Sequence, residues 1–242
     1  MKTVDIRRLK SFELLKDLDE ATLLELSQTL RPVLYHSGDL IFQEGGPAAS
    51  LYLIVQGHVV YGKYSGRRKR RRLLKILGPG DTFGEEALFA PEVCPCPGFA
   101  RALSDAEVLF WERASFWKVA ESHPRLMKHL IEWVTRQVKI FECKLVELAY
   151  ESLEQNLLRL LFVLMQRFGV PTDGGVRLEI DLSRQDLADL LGAHLDTVIH
   201  ELSRLRDRGL LAYEGHKIVI KDPQALEEQA QPATTCLHEK LF

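Results

Sequence analysis

The hydrophobic pattern changes its period part-way along the chain, and that change narrows the folds open to it. From Arg31 to about Arg113 apolar residues come in short stretches, at 40–42, 51–55, 59–61, 73–77 and 106–111. Turn residues separate them: Ser37-Gly38-Asp39, Gly45-Gly46-Pro47, Gln56-Gly57, Ser65-Gly66 and Gly78-Pro79-Gly80-Asp81. Short strands at such spacing predict an antiparallel barrel or sandwich, not a parallel sheet. Ahead of it, Leu14, Leu18, Leu23, Leu26 and Leu30 predict a helix over 12–30. Behind it a helical pattern runs from Pro124 to Arg167. The expected class is α+β: an N-terminal antiparallel β-barrel of jelly-roll type, a long helix, and a helical C-terminal domain. The expected spans are 1–123 for the barrel domain, 124–152 for the long helix and 153–228 for the last domain, with 229–242 a fraying tail.

Composition excludes several classes. At 242 residues and 46% hydrophobic content the chain can bury a substantial core. Its net charge of −2 excludes a protein that holds polyanions by bulk charge, though not one with a local basic face. No apolar run approaches the ~18 residues of a membrane span, and residues 1–10 hold no signal-type stretch. A cytoplasmic protein without a membrane partner is expected. The four cysteines, Cys94, Cys96, Cys143 and Cys236, form no CxxC pair or zinc-type pattern. No Ser/His/Asp constellation or metal-ligand spacing suggests an enzyme.

On the long helix, Leu130, Val134, Val138, Phe141, Leu145 and Leu148 alternate in steps of four and three. Such a narrow stripe is close to an a/d seam and predicts a homodimer, although packing on its own domain would give a similar pattern. Further on, Ser183-Arg184-Gln185-Asp186 opens a helix with a capping-box variant, Gly192 makes a turn, and a second helix runs from Leu195 to Arg208. A β pair around 210–212 and 217–220, with Gly215 at its tip, makes this a winged helix-turn-helix. The second helix of such a motif enters the major groove of double-stranded DNA with its N-terminal residues leading. Those are His194, Leu195, Asp196, Thr197 and His200, with Arg204 one turn on. Between Arg177 and Asp222 seven Lys/Arg stand against nine Asp/Glu. Phosphate contacts must therefore come from a few oriented groups: Arg184, Arg204, Arg206, Lys217 and the helix N-termini, with Ser183 also a candidate DNA contact.

From about Phe12 to Asp222 the chain resembles the CRP/FNR superfamily of bacterial transcription regulators. The resemblance rests on Gly38-Asp39-Leu40-Ile41-Phe42-Gln43-Glu44-Gly45, Leu51-Tyr52-Leu53-Ile54-Val55-Gln56-Gly57, and Gly78-Pro79-Gly80-Asp81-Thr82-Phe83-Gly84-Glu85. It rests also on the stretch from Leu182 to Gly192. It implies a cyclic-nucleotide-binding-type sensor, a dimerisation helix, and DNA and RNA polymerase as partners. It places the effector pocket around Gly84 and Glu85, the 94–96 segment, and Val138 and Phe141 on the helix.

The departures shape the expected effector. The Arg-Ser that holds a cyclic phosphate in such sensors is replaced by Val93-Cys94-Pro95-Cys96-Pro97-Gly98, which carries no cation and loses donors at its prolines. Phe141 and Glu142 stand where base-contacting polar groups would be. cAMP is not expected. No cysteine precedes Cys94, so the N-terminal iron–sulfur cluster of the oxygen-sensing branch is not expected either. Cys94 or Cys96 as a thiolate ligand to haem is the leading specific expectation, with gas sensing as its consequence. Thiol oxidation, another small ligand and a regulator without a ligand are the alternatives.

On the second helix Leu195 and His200 replace the usual arginines. Leu195 is free to meet a thymine methyl, Asp196 to accept from cytosine N4, and His200 to donate to a purine. The run Arg67-Arg68-Lys69-Arg70-Arg71-Arg72 reads as a solvated hairpin tip or as a surface for DNA flanks or an acidic polymerase face. The expected mechanism is a population shift in which effector binding repacks the helix seam and respaces the two recognition helices. A rival from another class is a haem or small-ligand carrier whose second domain binds protein.

Overall fold

Residues 4–47, 50–65, 70–89 and 95–230 are described by a computed structural model, with the side chains of 146–150 excepted. The chain begins with α1 (Ile6–Leu9), capped by the Asp5 carboxylate, and α2 (Glu20–Thr29), whose Asp19 cap accepts from the Thr22 N–H at 2.9 Å. The single helix expected over 12–30 is thus only its second half. Phe12, Leu14, Leu15 and Leu18 are buried, yet they lie on a succession of turns, because Asp19 fixes the helix start where its side chain can cap.

Eight strands follow: β1 (Arg31–Tyr35), β2 (Leu40–Phe42), β3 (Ser50–Gln56), β4 (Val59–Ser65), β5 (Arg70–Leu77), β6 (Thr82–Phe83), then, after the short α3 (Glu86–Phe89), β7 (Phe99–Ala102) and β8 (Ala106–Glu112). They form two antiparallel four-stranded sheets, ordered β1-β8-β3-β6 and β2-β7-β4-β5. The sheets do not close on each other, so the expected barrel is an open sandwich of jelly-roll type. Register pairs Leu53 with Leu109 and Leu51 with Trp111, which places β3 and β8 together at the centre of one sheet. The core under that sheet is built from Leu9, Phe12, Leu23, Leu26, Trp111 and Phe116, the last from α4 (Arg113–Ser122).

The helical stretch expected from 124 to 167 is two helices, α5 (Pro124–Tyr150) and α6 (Leu153–Phe168), broken where Ser152 caps α6 by accepting from the Gln155 N–H at 3.2 Å. Arg159 on the buried face of α6 is 1% exposed and makes a two-pronged ion pair with Glu151 at this break.

A hairpin follows, β9 (Gly169–Thr172) and β10 (Gly175–Leu178), joined by a turn at Asp173-Gly174. Then come α7 (Arg184–Leu191), α8 (Leu195–Asp207), the wing strands β11 (Leu211–Glu214) and β12 (Lys217–Ile220), and α9 (Pro223–Gln229). The last sheet is ordered β11-β12-β10-β9. Contacts divide the chain into two units: Met1–Arg70 with Ile76–Gln137, and Arg71–Lys75 with Val138–Phe242. Among the described residues no helix is long and apolar enough to cross a membrane.

Candidate nucleic-acid interface and sensor pocket

The helix-turn-helix is set by local chemistry. Ser183 accepts from the Asp186 N–H at 3.0 Å while Asp186 accepts from the Ser183 N–H at 3.0 Å, a complete capping box. Gly192 ends α7 in the left-handed region at φ 67°, where a side chain would be strained, and the next turn launches α8. Leu187, Ala188, Leu190 and Leu191 on α7 and Val198, Leu202 and Leu205 on α8 are buried against each other and the wing. Burying that stripe turns Asp196, Thr197 and His200 outward, while Leu195 is half-buried and His194 caps the helix by backbone alone. These are the positions expected to meet DNA. Ile199, 38% exposed at the flank of that side, was missed because it reads as one more apolar residue of an amphipathic helix.

The cations expected to meet phosphate are engaged within the unit. Arg184 stacks its guanidinium 4.8 Å from the Tyr213 ring. Arg204 bonds Glu201 at 3.0 Å, and Lys217 bonds Asp181 at 2.5 Å. Of the basic run, Arg67, Arg68 and Lys69 lie outside the described residues. Arg71 is no solvated tip: its Nη2 meets Asp186 at 2.8 Å and its Nε meets Asp189 at 2.5 Å. Both carboxylates are nearly buried, and Arg71, in the β5 segment that belongs to this unit, neutralises them.

In the sensor unit a cavity of about 10 Å³ lies among Phe42, Tyr52, Tyr61, Gly84, Glu86 and Cys96. That is room for about one water. Aromatic rings pack around it: Tyr52 stacks on Phe83 at 5.0 Å, and Phe42 lies 5.4 Å from Tyr52 and 6.3 Å from Tyr61. Gly84 is required here, since at φ +83° a Cβ would stand 2.9 Å from the Tyr52 ring and 2.9 Å from the Ser50 carbonyl. Burial, reinforced by neighbouring Tyr35 and Cys96, pushes the Tyr52 phenol up to about 12. Burial first, and then the Glu86 and Glu85 charges, raises Tyr61, whose hydroxyl donates to Glu86 at 3.3 Å. Both phenols are neutral donors across the physiological range.

Of the pocket residues expected from sequence, Gly84 and Cys96 line the cavity, whereas the acidic lining residue is Glu86 and not Glu85. Val138 and Phe141 lie on the α5 segment of the other unit. Cys94 lies outside the described residues. Among the described residues no cluster of three or more His, Cys, Asp or Glu could hold a metal ion. Cys143 is disulfide-bonded, and Cys96 is buried at the edge of the cavity.

The α5 stripe needs one correction. Leu130 is 1% exposed and packs in the sensor core with Leu126 and Trp133, so it is unavailable to a partner. Its neighbour Ile131, 61% exposed, begins a seven-residue repeat with Val138 and Leu145, exposed by 50% and 68%. Val134 and Phe141 interleave at the same interval, as a and d positions do, although Val134 is half-buried and also packs against the sensor core. The side chain of Leu148 lies outside the described residues.

Comparison with known proteins agrees with both halves. A model of the cyclic nucleotide-binding domain matches residues 32–123, and a model of the Crp-like helix-turn-helix domain matches residues 155–229. The CRP-like cAMP-activated global transcriptional regulator of Mycobacterium tuberculosis is 28% identical over 214 residues, 88% of this chain and 94% of that protein. The anaerobic regulatory protein of Bacillus subtilis is 29% identical over 224 residues, 91% of this chain and 90% of its own length. The solved structure of FixK2 from Bradyrhizobium japonicum superposes with a TM-score of 0.71 at 26% identity, covering 85% of this chain and 99% of that one. With a sensor sandwich and a winged helix each matched in its place, the chain belongs to the CRP/FNR superfamily, a family of transcription regulators and not of enzymes.

Proposed function

We propose that the chain is a homodimeric, sequence-specific regulator that binds a palindromic operator without a cyclic nucleotide. The observation that carries the effector part is the small size of the described cavity, about 10 Å³, lined by Phe42, Tyr52 and Tyr61. Pockets for small molecules and cofactors run to ~300–1,000 Å³. Among the described residues its one charged lining residue is Glu86, which repels a phosphate where a cation would be needed. The α5 heptads supply the dimer seam, and pairing through them sets two α8 helices on half-sites one DNA turn apart, ~34 Å. RNA polymerase is the expected protein partner, and the cytoplasm the expected compartment.

Haem draws no support from this pocket. Cys96 is 7% exposed at the edge of a space far smaller than a porphyrin. The test is direct. Millimolar cAMP should leave both Tm and operator affinity unchanged, and haem added to the purified protein should give no stoichiometric Soret band. A bound nucleotide at 100 times its Kd would add about 2.7 kcal/mol of stability. A rise in Tm with nucleotide-dependent operator binding would overturn the reading.

A second reading, thiol control, has the Cys143 disulfide in its favour, because cytosolic disulfides are mostly transient and redox-sensing. It expects operator affinity to change on reduction in the wild type and not in Cys143→Ser. Equal affinities before and after reduction would end it.

A further inference from the structure

We propose that Ile199 is a specificity-determining residue that reads the 5-methyl group of a thymine in each operator half-site. The inference rests on the DNA-binding reading of α8 and goes beyond it to the base.

Ile199 is the fifth residue of α8, within the part of a recognition helix that reaches base edges. The buried stripe Val198, Leu202 and Leu205 fixes the inward side of the helix, and Ile199, about 100° round from Val198, is exposed at its flank. Every other exposed residue of α8 is polar or charged: Asp196, Thr197, His200, Arg204, Arg206 and Asp207. A lone exposed apolar side chain is ordinary on a protein surface. What sets this one apart is its neighbourhood. Helical geometry puts it next to Asp196 at i−3 and Ser203 at i+4, and in line with half-buried Leu195 at i−4, so that the two aliphatic chains form one edge. A β-branched residue is also a poorer helix former than Leu, Lys or Arg, so helix stability does not account for its place.

The polar groups around it narrow the choice of base. Guanine is usually read by a bidentate arginine. The arginines of α8 are turned to carboxylates, Arg204 to Glu201 at 3.0 Å and Arg206 to Asp207 at 3.2 Å. Asp196 can accept only, from the amino group of cytosine or adenine. The one feature in the major groove that an aliphatic side chain recognises is the thymine methyl. Ile199 and Asp196 together therefore ask for a thymine beside an amino-bearing base.

Deoxyuridine differs from thymidine by that methyl alone and gives the test. An operator is first selected from a randomised duplex library with the full-length protein. Each thymidine of the enriched duplex is then replaced by deoxyuridine, and affinity is measured by fluorescence anisotropy for the wild type and for Ile199→Ala. One position per half-site should lose about fourfold, the usual worth of one buried methyl, and both halves together about fifteenfold. In Ile199→Ala the same replacement should cost nothing, with the thermal melt unchanged because the position is exposed. Deoxyuridine tolerated everywhere by the wild type would overturn the proposal, and so would an equal penalty in both proteins. If selection enriches no sequence at all, the specific DNA-binding reading fails and takes this one with it.

Discussion

Val138→Glu should dissociate the dimer and lower operator affinity by at least about 100-fold. Val138 is half-exposed on α5, seven residues from Ile131 and seven from Leu145, so in a parallel pair it meets its own copy across the seam. Glutamate there puts two like charges face to face in an apolar strip, which costs more than the lost methyl contacts. Dimerisation lets the second half-site bind as an intramolecular event, and that linkage is worth 10²–10⁴ in affinity. Lys139→Glu, one residue on and outside the repeat, should change neither property. Sedimentation and anisotropy measure both; a dimeric Val138→Glu protein with wild-type affinity would remove α5 from the interface.

Glu151→Ala should destabilise the C-terminal unit by about 3–4 kcal/mol. Arg159 is 1% exposed, and Glu151 holds its guanidinium with both oxygens, one of them at 2.8 Å. Removing one partner of a buried pair leaves a charge in a medium that cannot solvate it, a loss of ~3–5 kcal/mol. The double change Glu151→Met with Arg159→Met should restore much of the stability, since an apolar replacement needs no counter-charge. Denaturant unfolding followed on the C-terminal unit checks both, and a single variant within ~0.5 kcal/mol of wild type would contradict the account.

Those features differ in how visibly the sequence carries them. The capping box at Ser183 and Asp186, the turn at Gly192 and the buried stripe of α8 were legible because their causes lie within four residues of each other. Leu130 and Ile131 were not distinguishable on that basis. Both are apolar and adjacent, and only packing against Leu126 and Trp133 decides which one turns inward. The same limit applies to 12–18, where leucine spacing suits a helix but an aspartate cap further on starts it later. In the pocket, the run Leu51 to Val55 is apolar throughout, so alternation could not say that Tyr52 faces the cavity. Nor could spacing reveal that Glu86, one residue beyond the family position, reaches Tyr61. Arg159 was hidden for the opposite reason: an arginine in a helix reads as surface, and its burial depends on a carboxylate at the α5–α6 break.

The exposed heptads of α5 have a consequence for how the ligand-independent regulator proposed above is turned up or down. In that reading the quantity left to vary is the amount of chain. Below the dimer dissociation constant the dimer population follows the square of the protomer concentration, so doubling synthesis raises it about fourfold. Dose would then do the work of an effector, and the steepness of the response would be set by the strength of the α5 seam. A mutation that tightens the seam would flatten that response while strengthening binding, and one that loosens it slightly would sharpen it.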